Sequence, residues 1–190
     1  MIYFVDNFVD KDLFIIAQNY LNDGAFVKHV SGGKDFYVKE SPKEFDTYIL
    51  NKMSEIEGKK LRSILSFFRE STDELDVTWR IHSDLNIAGE KPDRALVLYM
   101  SPREREDLHG TALWEHHRYG TEIPKNISNE DYDKMINVDA ENLDMWRLSS
   151  VVGYEQNRII SYPSSYFHSK YPNKSWKEGR RVYVMFYKYE

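Results

Sequence analysis

The chain of 190 residues contains no cysteine, which excludes disulfides, thiolate metal sites and cysteine nucleophiles. Its 26 Lys and Arg residues against 31 Asp and Glu residues give a formal net charge of −5, so it lacks the overall basic charge that is typical of nucleic-acid-binding domains. Its 14 Tyr, 10 Phe and 4 Trp residues favour strand-rich structure, because aromatic side chains suit a pleated, half-buried surface. We therefore expect one mainly β domain with supporting helices, spanning residues 1–190.

The first 72 residues are predicted to be a helical support region. Apolar residues at helical spacing predict three helices, which begin after Asp10, at Pro42 and after Gly58. Two short strands are predicted between the first two helices, at residues 25–30 and 35–39. The helices after Pro42 and Gly58 are amphipathic, so each is expected to lay one face on a sheet.

From residue 73 to residue 190 the pattern changes to short apolar segments separated by turn residues, which predicts an antiparallel sandwich or barrel. The predicted strands are residues 77–81, 95–100, 111–116, 151–154, 158–162 and 181–189. An acidic stretch with helical spacing, residues 128–148, interrupts these strands. We interpret it as a helical insertion that covers one end of the β-region.

His82 and Asp84 form the sharpest local motif. Residues i and i+2 of a strand face the same side, so this imidazole and this carboxylate can converge on one point. For the His-x-Asp tripeptide alone, a polar strand end at the surface is the simpler interpretation. Two later segments add to it: residues 157–168 read as a strand, a Pro-Ser turn and His168, and residues 179–187 read as a strand with basic residues at its mouth. Two histidines and one carboxylate leave three metal positions open, as non-haem Fe(II) oxygenases require.

The order His-x-Asp, distal His and then Arg on the last strand resembles the 2-oxoglutarate/Fe(II)-dependent dioxygenases, and more narrowly their prolyl-hydroxylase-like branch with its short bacterial and phage members. The resemblance covers about residues 77–187 and rests on the phrases HSDLNIAGEKPDRALVLYMS, HGTALWEHHRYG, NRIISYPSSYFHS and GRRVYVMFY. It implies a double-stranded β-helix, or jelly roll, with the N-terminal helices packed on one sheet.

The resemblance also implies the roles of individual residues. His82, Asp84 and His168 would be the ligands of Fe(II), with 2-oxoglutarate as co-substrate and dioxygen as oxidant. The implied reaction is hydroxylation of an unidentified substrate, with release of succinate and carbon dioxide. Halogenases of the superfamily usually have a small residue at the position of Asp84, so the carboxylate favours hydroxylation.

The 2-oxoglutarate pocket is assigned by the same resemblance. Arg181 stands two residues after Gly179, the spacing of the arginine that binds the distal carboxylate in prolyl-hydroxylase-like members, and a strand arginine offers that carboxylate a bidentate partner. Strand alternation then turns Arg180 to the other face. Tyr99 matches a tyrosine that assists in some relatives. Two further residues are placed in this pocket: Leu113 as lining, and Tyr183 where relatives carry Ser or Thr, able either to donate the same hydrogen bond or to crowd the site.

Several alternatives stay open. Trp79 and Arg80 precede the motif, and either is a candidate for the cleft. His116 and His117 face opposite sides of a predicted strand, so one of them is a candidate for the mouth of the site, with a surface role as the simpler interpretation. The chain would alternatively be a non-catalytic jelly-roll binding module, or a cupin-like metalloprotein that does not use 2-oxoglutarate.

The primary substrate is open among a peptide, an amino acid and a small metabolite, and nucleic acid is disfavoured by the acidic charge. A cluster of basic residues late in the sequence favours either a local basic patch or an anionic substrate: Lys170, Lys174, Lys177, Arg180 and Arg181. No signal peptide and no apolar run long enough to span a bilayer is visible, so we expect a soluble, cytoplasmic protein without a membrane partner. The sequence leaves the oligomeric state open.

Overall fold

The computed structural model describes residues 1–31, 34–72, 79–102, 109–173, 176 and 179–190. These residues contain ten strands and three α-helices. The strands are β1 Tyr3–Val5, β2 Val27–Ser31, β3 Lys34–Glu40, β4 Leu61–Ser71, β5 Arg94–Tyr99, β6 Gly110–His116, β7 Trp146–Gly153, β8 Ile159–Pro163, β9 His168–Tyr171 and β10 Arg180–Tyr189. The helices are α1 Lys11–Asn22, α2 Lys43–Glu57 and α3 Asn129–Asn137. The expectation of a mainly β chain with supporting helices is confirmed.

The strands form two antiparallel sheets. The larger sheet has the order β1-β8-β5-β10-β4-β3-β2, and the smaller sheet has the order β7-β6-β9. The last strand in sequence, β10, lies at the centre of the larger sheet and pairs with β4 on one side and β5 on the other. Both of its edges are therefore paired, and its side chains alternate between the two faces of the sheet.

One face of the larger sheet carries the two N-terminal helices. The helices bury apolar residues at helical spacing, namely Phe14, Ala17 and Leu21 in α1 and Phe45, Ile49 and Met53 in α2. These side chains form one core with residues of three neighbouring strands, namely Phe68, Leu96, Leu98, Tyr183, Met185 and Tyr187. We call this the helix-side core. It accounts for the amphipathic pattern of both helices.

The other face of the larger sheet meets the smaller sheet. Val182 and Phe186 of β10 pack there with Val97 of β5, Leu113 of β6 and Tyr162 of β8. We call this the inter-sheet core. Even-numbered residues of β10 thus face the smaller sheet, and odd-numbered residues face the helices, as the two-residue period of a strand requires.

The predicted third helix after Gly58 is wrong. Residues 61–71 form strand β4, which pairs with β10 over almost its whole length and with β3 on its other edge. Phe68 packs in the helix-side core while Phe67 packs against the inter-sheet core, so both faces of β4 carry buried apolar side chains. A strand with two apolar faces has no alternating pattern, and its apolar positions also fit a helical period.

The insertion agrees with its prediction over most of its length. Ser128 caps α3 by accepting a hydrogen bond from the backbone N–H of Asp131. Two 3-10 turns follow, Asp139–Glu141 and Leu143–Met145, but Trp146 already begins β7, so the predicted helical stretch ends too late.

Of the predicted strand at 77–81, residues 77–78 lie outside the described residues, and residues 79–81 are not in a strand. Among the described helices, none is long and apolar enough to cross a bilayer.

Candidate metal centre

Backbone pairing brings the two histidines of the predicted site together. The N–H of His82 donates to the carbonyl of His168 at 3.1 Å, and the N–H of His168 donates back to the carbonyl of His82 at 2.9 Å. The N–H of Asp84 donates to the carbonyl of Ser164 at 2.8 Å. The segment from His82 to Asp84 therefore lies beside the start of β9, although 84 residues separate Asp84 from His168 in sequence.

The three side chains converge on one point. Asp84 Oδ1 lies 3.7 Å from His82 Nε2, and Asp84 Oδ2 lies 3.4 Å from His168 Nε2. One ligand atom from each residue falls within 4.8 Å of the others. Asp84 and His168 are buried, and the His82 side chain is 39% exposed, so the cluster is open on one side.

The remaining ring nitrogens fix both histidines for metal binding. His82 Nδ1 lies 2.7 Å from the carbonyl oxygen of Arg80, and His168 Nδ1 lies 3.0 Å from that of Tyr166. A carbonyl oxygen only accepts, so each Nδ1 carries the proton and each Nε2 keeps its lone pair for a metal. This nitrogen and oxygen donor set fits a divalent transition-metal ion with open positions, as in the 2-His-1-carboxylate arrangement.

The electrostatics of the cluster suit the binding of a cation. Loss of water around His82, together with the nearby His168, holds the pKa of His82 well below its usual range. Burial raises the pKa of Asp84, although His168 and Arg69 oppose the shift. Both shifts disfavour the charged side chains, and a divalent cation would reverse the penalty on the carboxylate while using the neutral imidazoles.

A cavity of about 560 Å³ contains this cluster. Its wall includes inward side chains of both sheets, and Arg180 lies in it together with His82, Asp84 and His168. Arg180 is 6% exposed, and its Cζ lies 5.5 Å from the ring centroids of both Tyr99 and Trp176. Within the described part of the chain, its Nε has no hydrogen-bond partner. A buried guanidinium with an unused donor is suited to bind an anion in the cavity.

Arg181 lies on the opposite face of β10. Its Nε donates to Glu70 Oε1 at 2.7 Å and its Nη1 donates to Asn22 Oδ1 at 2.7 Å, outside the cavity. The orientation expected for this pair of arginines is thus reversed: Arg180 faces inward and Arg181 faces the helices. The spacing from Gly179 cannot reveal this, because the residues that follow on β10 are apolar on both faces.

Tyr183 shares the face of Arg181 and is also outside the cavity. It is buried in the helix-side core, with its ring 5.1 Å from Phe45 and 5.4 Å from Phe68, and its hydroxyl donates to Asp46 Oδ1 at 2.7 Å. The structure therefore does not bring Tyr183 to the metal cluster. Val182 occupies the inward position two residues after Arg180.

Tyr99 and Leu113 lie behind the cavity wall. Tyr99 is buried, stacks on Tyr154 with ring centroids 4.3 Å apart, and donates its hydroxyl to Thr111 Oγ1 at 2.8 Å. Thr111 itself lines the cavity, so Tyr99 supports this wall and flanks Arg180. Leu113 is buried in the inter-sheet core and pairs in register with His168.

Other candidates separate clearly. Trp79 and Arg80 line the cavity, as one of the open interpretations had it. His116 is buried away from the cavity and lies 3.2 Å from Asp139 through Nε2, whereas His117 is exposed. The sequence does not reveal Arg69, which lines the cavity from β4, because the apolar spacing before it predicts a helix.

Several solved structures share the fold of this chain over almost its whole length. No protein-family model and no curated protein matches the sequence. Among solved structures, HygX from Streptomyces hygroscopicus with nickel and 2-oxoglutarate bound matches at 11% identity and TM-score 0.62, over 98% of this chain and 82% of HygX. The non-haem α-ketoglutarate-dependent epimerase SnoN from nogalamycin biosynthesis matches at 14% identity and TM-score 0.62, over 98% and 78%. An oxidoreductase of the 2OG-Fe(II) oxygenase family from Burkholderia pseudomallei matches at 9% identity and TM-score 0.58, over 98% and 85%.

Proposed function

We propose that the chain is an Fe(II)- and 2-oxoglutarate-dependent dioxygenase, a single domain over residues 1–190 on a double-stranded β-helix. The observation that carries the proposal is the convergence of His82, Asp84 and His168, with both Nε2 atoms free, in the same cavity as the buried Arg180. The similarity of fold to structures solved with a metal ion and 2-oxoglutarate supports it.

Each residue then has a distinct task. The two histidines and Asp84 hold the metal on one face, and the backbone carbonyls of Arg80 and Tyr166 keep the imidazoles oriented. We assign the distal carboxylate of 2-oxoglutarate to Arg180 in place of Arg181, because Arg180 is the member of the pair that faces the cavity. Bound iron would supply the activation of dioxygen that couples oxidation of the substrate to decarboxylation of 2-oxoglutarate.

The residues around Arg180 prepare it for this role. The Tyr99 and Trp176 rings flank its guanidinium, which limits its freedom before the co-substrate arrives. Thr111 presents a polar side chain in the same wall, held by the hydroxyl of Tyr99. A guanidinium that is both buried and preoriented interacts more strongly with a carboxylate than an exposed and mobile one does.

We propose hydroxylation as the reaction. One oxygen atom of dioxygen enters a C–H bond of the substrate and the other enters succinate, while 2-oxoglutarate loses carbon dioxide. Asp84 supports this choice over halogenation, because its carboxylate stands with both histidines at the common point and leaves no ligand position for a halide in its place.

The test is succinate formation from 2-oxoglutarate that depends on Fe(II) and dioxygen. We expect the wild-type protein and His117→Ala to form succinate and to bind iron equally, since His117 is exposed outside the cavity. We expect His82→Ala to lose both properties. Equal iron binding by wild type and His82→Ala would contradict the metal site. Iron binding without any effect of 2-oxoglutarate would instead favour a cupin-like metalloprotein, and ligand binding without iron a non-catalytic module.

A further inference from the structure

The two histidines of the metal cluster are held by different means. His168 begins β9, and the carbonyl that orients its ring belongs to Tyr166, which lies in an isolated β-bridge. His82 instead follows residues 79–81, which are not in a strand. The carbonyl of Arg80, which orients the His82 ring, therefore has no strand pairing to fix its direction and needs another support.

The carboxylate of Glu141 supplies this support from the insertion. Its Oε2 accepts from the N–H of Trp79 at 2.9 Å, and its Oε1 accepts from the N–H of Arg80 at 3.0 Å. The next N–H group, that of Ile81, donates to the carbonyl of Ala140 at 3.3 Å. Three consecutive N–H groups outside any strand are thus satisfied by two consecutive residues of the insertion, and two of the three donate to one carboxylate.

Arg80 joins two peptide planes that have different partners. The plane before it donates its N–H to Glu141, and the plane after it offers its carbonyl to His82 Nδ1 at 2.7 Å. The angle between the planes is set by the dihedral angles of Arg80, whose φ of 53° lies in the left-handed region that non-glycine residues seldom adopt. Without a partner that holds the first plane, we expect φ to relax toward negative values and the carbonyl to turn away from the ring.

We propose that Glu141 is a positioning residue for the metal ligand His82. Its carboxylate holds Arg80 in the left-handed conformation, and the carbonyl of Arg80 then keeps the imidazole in the tautomer and orientation that present Nε2 to a metal ion. The inference rests on the proposed function for the metal site itself. It adds that the insertion controls the affinity of this site, although the described cavity lining includes no residue of the insertion.

The test removes the charge of Glu141 with little change of shape. Glu141→Gln keeps the length of the side chain, but its amide has only one acceptor oxygen, so one of the two backbone N–H groups faces an NH2 group. Glu130→Gln is the matched control, because it removes the same charge from an exposed position on α3 of the same insertion.

Metal affinity is the first measurement. Competition of the full chain with a chromophoric chelator for Co(II), without 2-oxoglutarate, gives the Kd of each variant. We expect Glu141→Gln to weaken Co(II) binding by about 10-fold, the lower end of the range for groups that orient metal ligands. Glu130→Gln should change the Kd by less than about twofold, because it does not alter the orientation of a ligand.

The second measurement follows the imidazoles themselves. The protein contains six histidines, so the ring nitrogens of the Zn(II)-loaded, 15N-labelled chain give a simple long-range 1H–15N spectrum. The chemical shift of each Nδ1 reports the hydrogen bond that it donates. We expect Glu141→Gln to shift the Nδ1 signal of His82 and to leave that of His168 in place, because His168 is oriented by the carbonyl of Tyr166.

Equal Co(II) affinity in the wild type and Glu141→Gln would overturn the proposal. Weakened affinity with shifts at both His82 and His168 would do the same, since that pattern shows a general loosening of the fold. The wild type gives an independent test should the variant not fold. Its Trp79 and Arg80 N–H groups should exchange slowly with water, and exchange as fast as that of exposed loop amides would refute the role of Glu141.

Failure of the proposed function is distinguishable from failure of this proposal. The proposed function fails if the wild type binds no metal ion or forms no succinate from 2-oxoglutarate. The role of Glu141 fails while both of these properties are intact, through the unchanged Kd, the shift at both histidines or the fast amide exchange.

Discussion

Replacing Arg180 by glutamine should weaken 2-oxoglutarate binding by two to three orders of magnitude, and replacing Arg181 should not. Arg180 is 6% exposed and lines the cavity with the metal cluster, whereas Arg181 is committed to Glu70 on the helix side. A guanidinium gives a carboxylate two parallel hydrogen bonds, each contributing about 1.5–3 kcal/mol when a partner is charged. Glutamine retains at most one neutral bond, so we expect a loss of about 3–4 kcal/mol, or roughly 200- to 1,000-fold in Kd.

A graded series separates charge from geometry. Arg180→Lys keeps the positive charge but loses the planar fork, so its Kd should rise by about 10-fold, between wild type and Arg180→Gln. Arg181→Gln should leave the Kd unchanged within about twofold. It removes a partly exposed ion pair with Glu70, which contributes about 1 kcal/mol to the free energy of unfolding.

The assay is anaerobic titration of the Fe(II)-loaded protein with 2-oxoglutarate, followed by the charge-transfer absorbance of the chelated 2-oxo acid. Calorimetry with each variant gives the same Kd independently of the band. The reasoning is refuted if Arg181→Gln weakens binding more than Arg180→Gln does. It is also refuted if Arg180→Gln binds 2-oxoglutarate like the wild type while remaining folded and iron-loaded.

Three predictions concern the scaffold. The Glu57 side chain is 1% exposed and pairs with a buried arginine and two tyrosines. Glu57→Ala should therefore lower the free energy of unfolding by about 3–5 kcal/mol, measured by urea denaturation. A loss below about 1 kcal/mol would contradict a buried network. Gly110→Ala would place its Cβ 1.9 Å from the carbonyl oxygen of Val152 and should lower the free energy of unfolding by at least about 2 kcal/mol. Gly153→Ala on the paired strand is the control, because the nearest contact of its Cβ is at 3.7 Å, and it should lower the free energy of unfolding by less than about 1 kcal/mol. Burial and the hydrogen bond to Glu57 raise the pKa of Tyr189 to about 12. The contribution of this tyrosine to folding stability is therefore complete below about pH 10 and is lost as the pH rises toward 12. The decline in Tm over that interval should be smaller in Tyr189→Phe than in the wild type, and an identical decline would refute the assignment.

Much of the layout follows from local patterns. The apolar spacing after Asp10 and Pro42 predicts α1 and α2, and the structure has helices at Lys11–Asn22 and Lys43–Glu57. The resemblance predicts the approach of His82 and His168 across a large sequence separation, whereas strand periodicity alone gives the faces of a strand but not its neighbours. Backbone pairing between the two histidines supplies what the pattern lacked.

The errors at β4 and β10 share one physical origin, which is that both faces of each strand carry apolar side chains. The pattern of β4 predicts a helix because Phe67 and Phe68 point into different cores, so apolar residues are not confined to alternate positions. The same ambiguity affects β10, where Arg180 and Arg181 are adjacent and the residues behind each of them are apolar. Only the pairing of β10 between two neighbours, together with helices on one face, fixes which arginine enters the cavity.

The insertion belongs to the site and is more than a cover for one end of the sandwich. The carbonyl of Ala140 accepts from the N–H of Ile81, and Glu141 accepts from the N–H groups of the two residues before Ile81. Ile81 itself is buried in a core that includes Met135 of α3 and Trp146 at the start of β7. The segment that presents His82 is therefore held on one side by β9 and on the other by the insertion. Residues 79–81 lie outside any strand, so these contacts take the place of strand hydrogen bonds for their backbone N–H groups. They thereby fix the backbone that leads into His82.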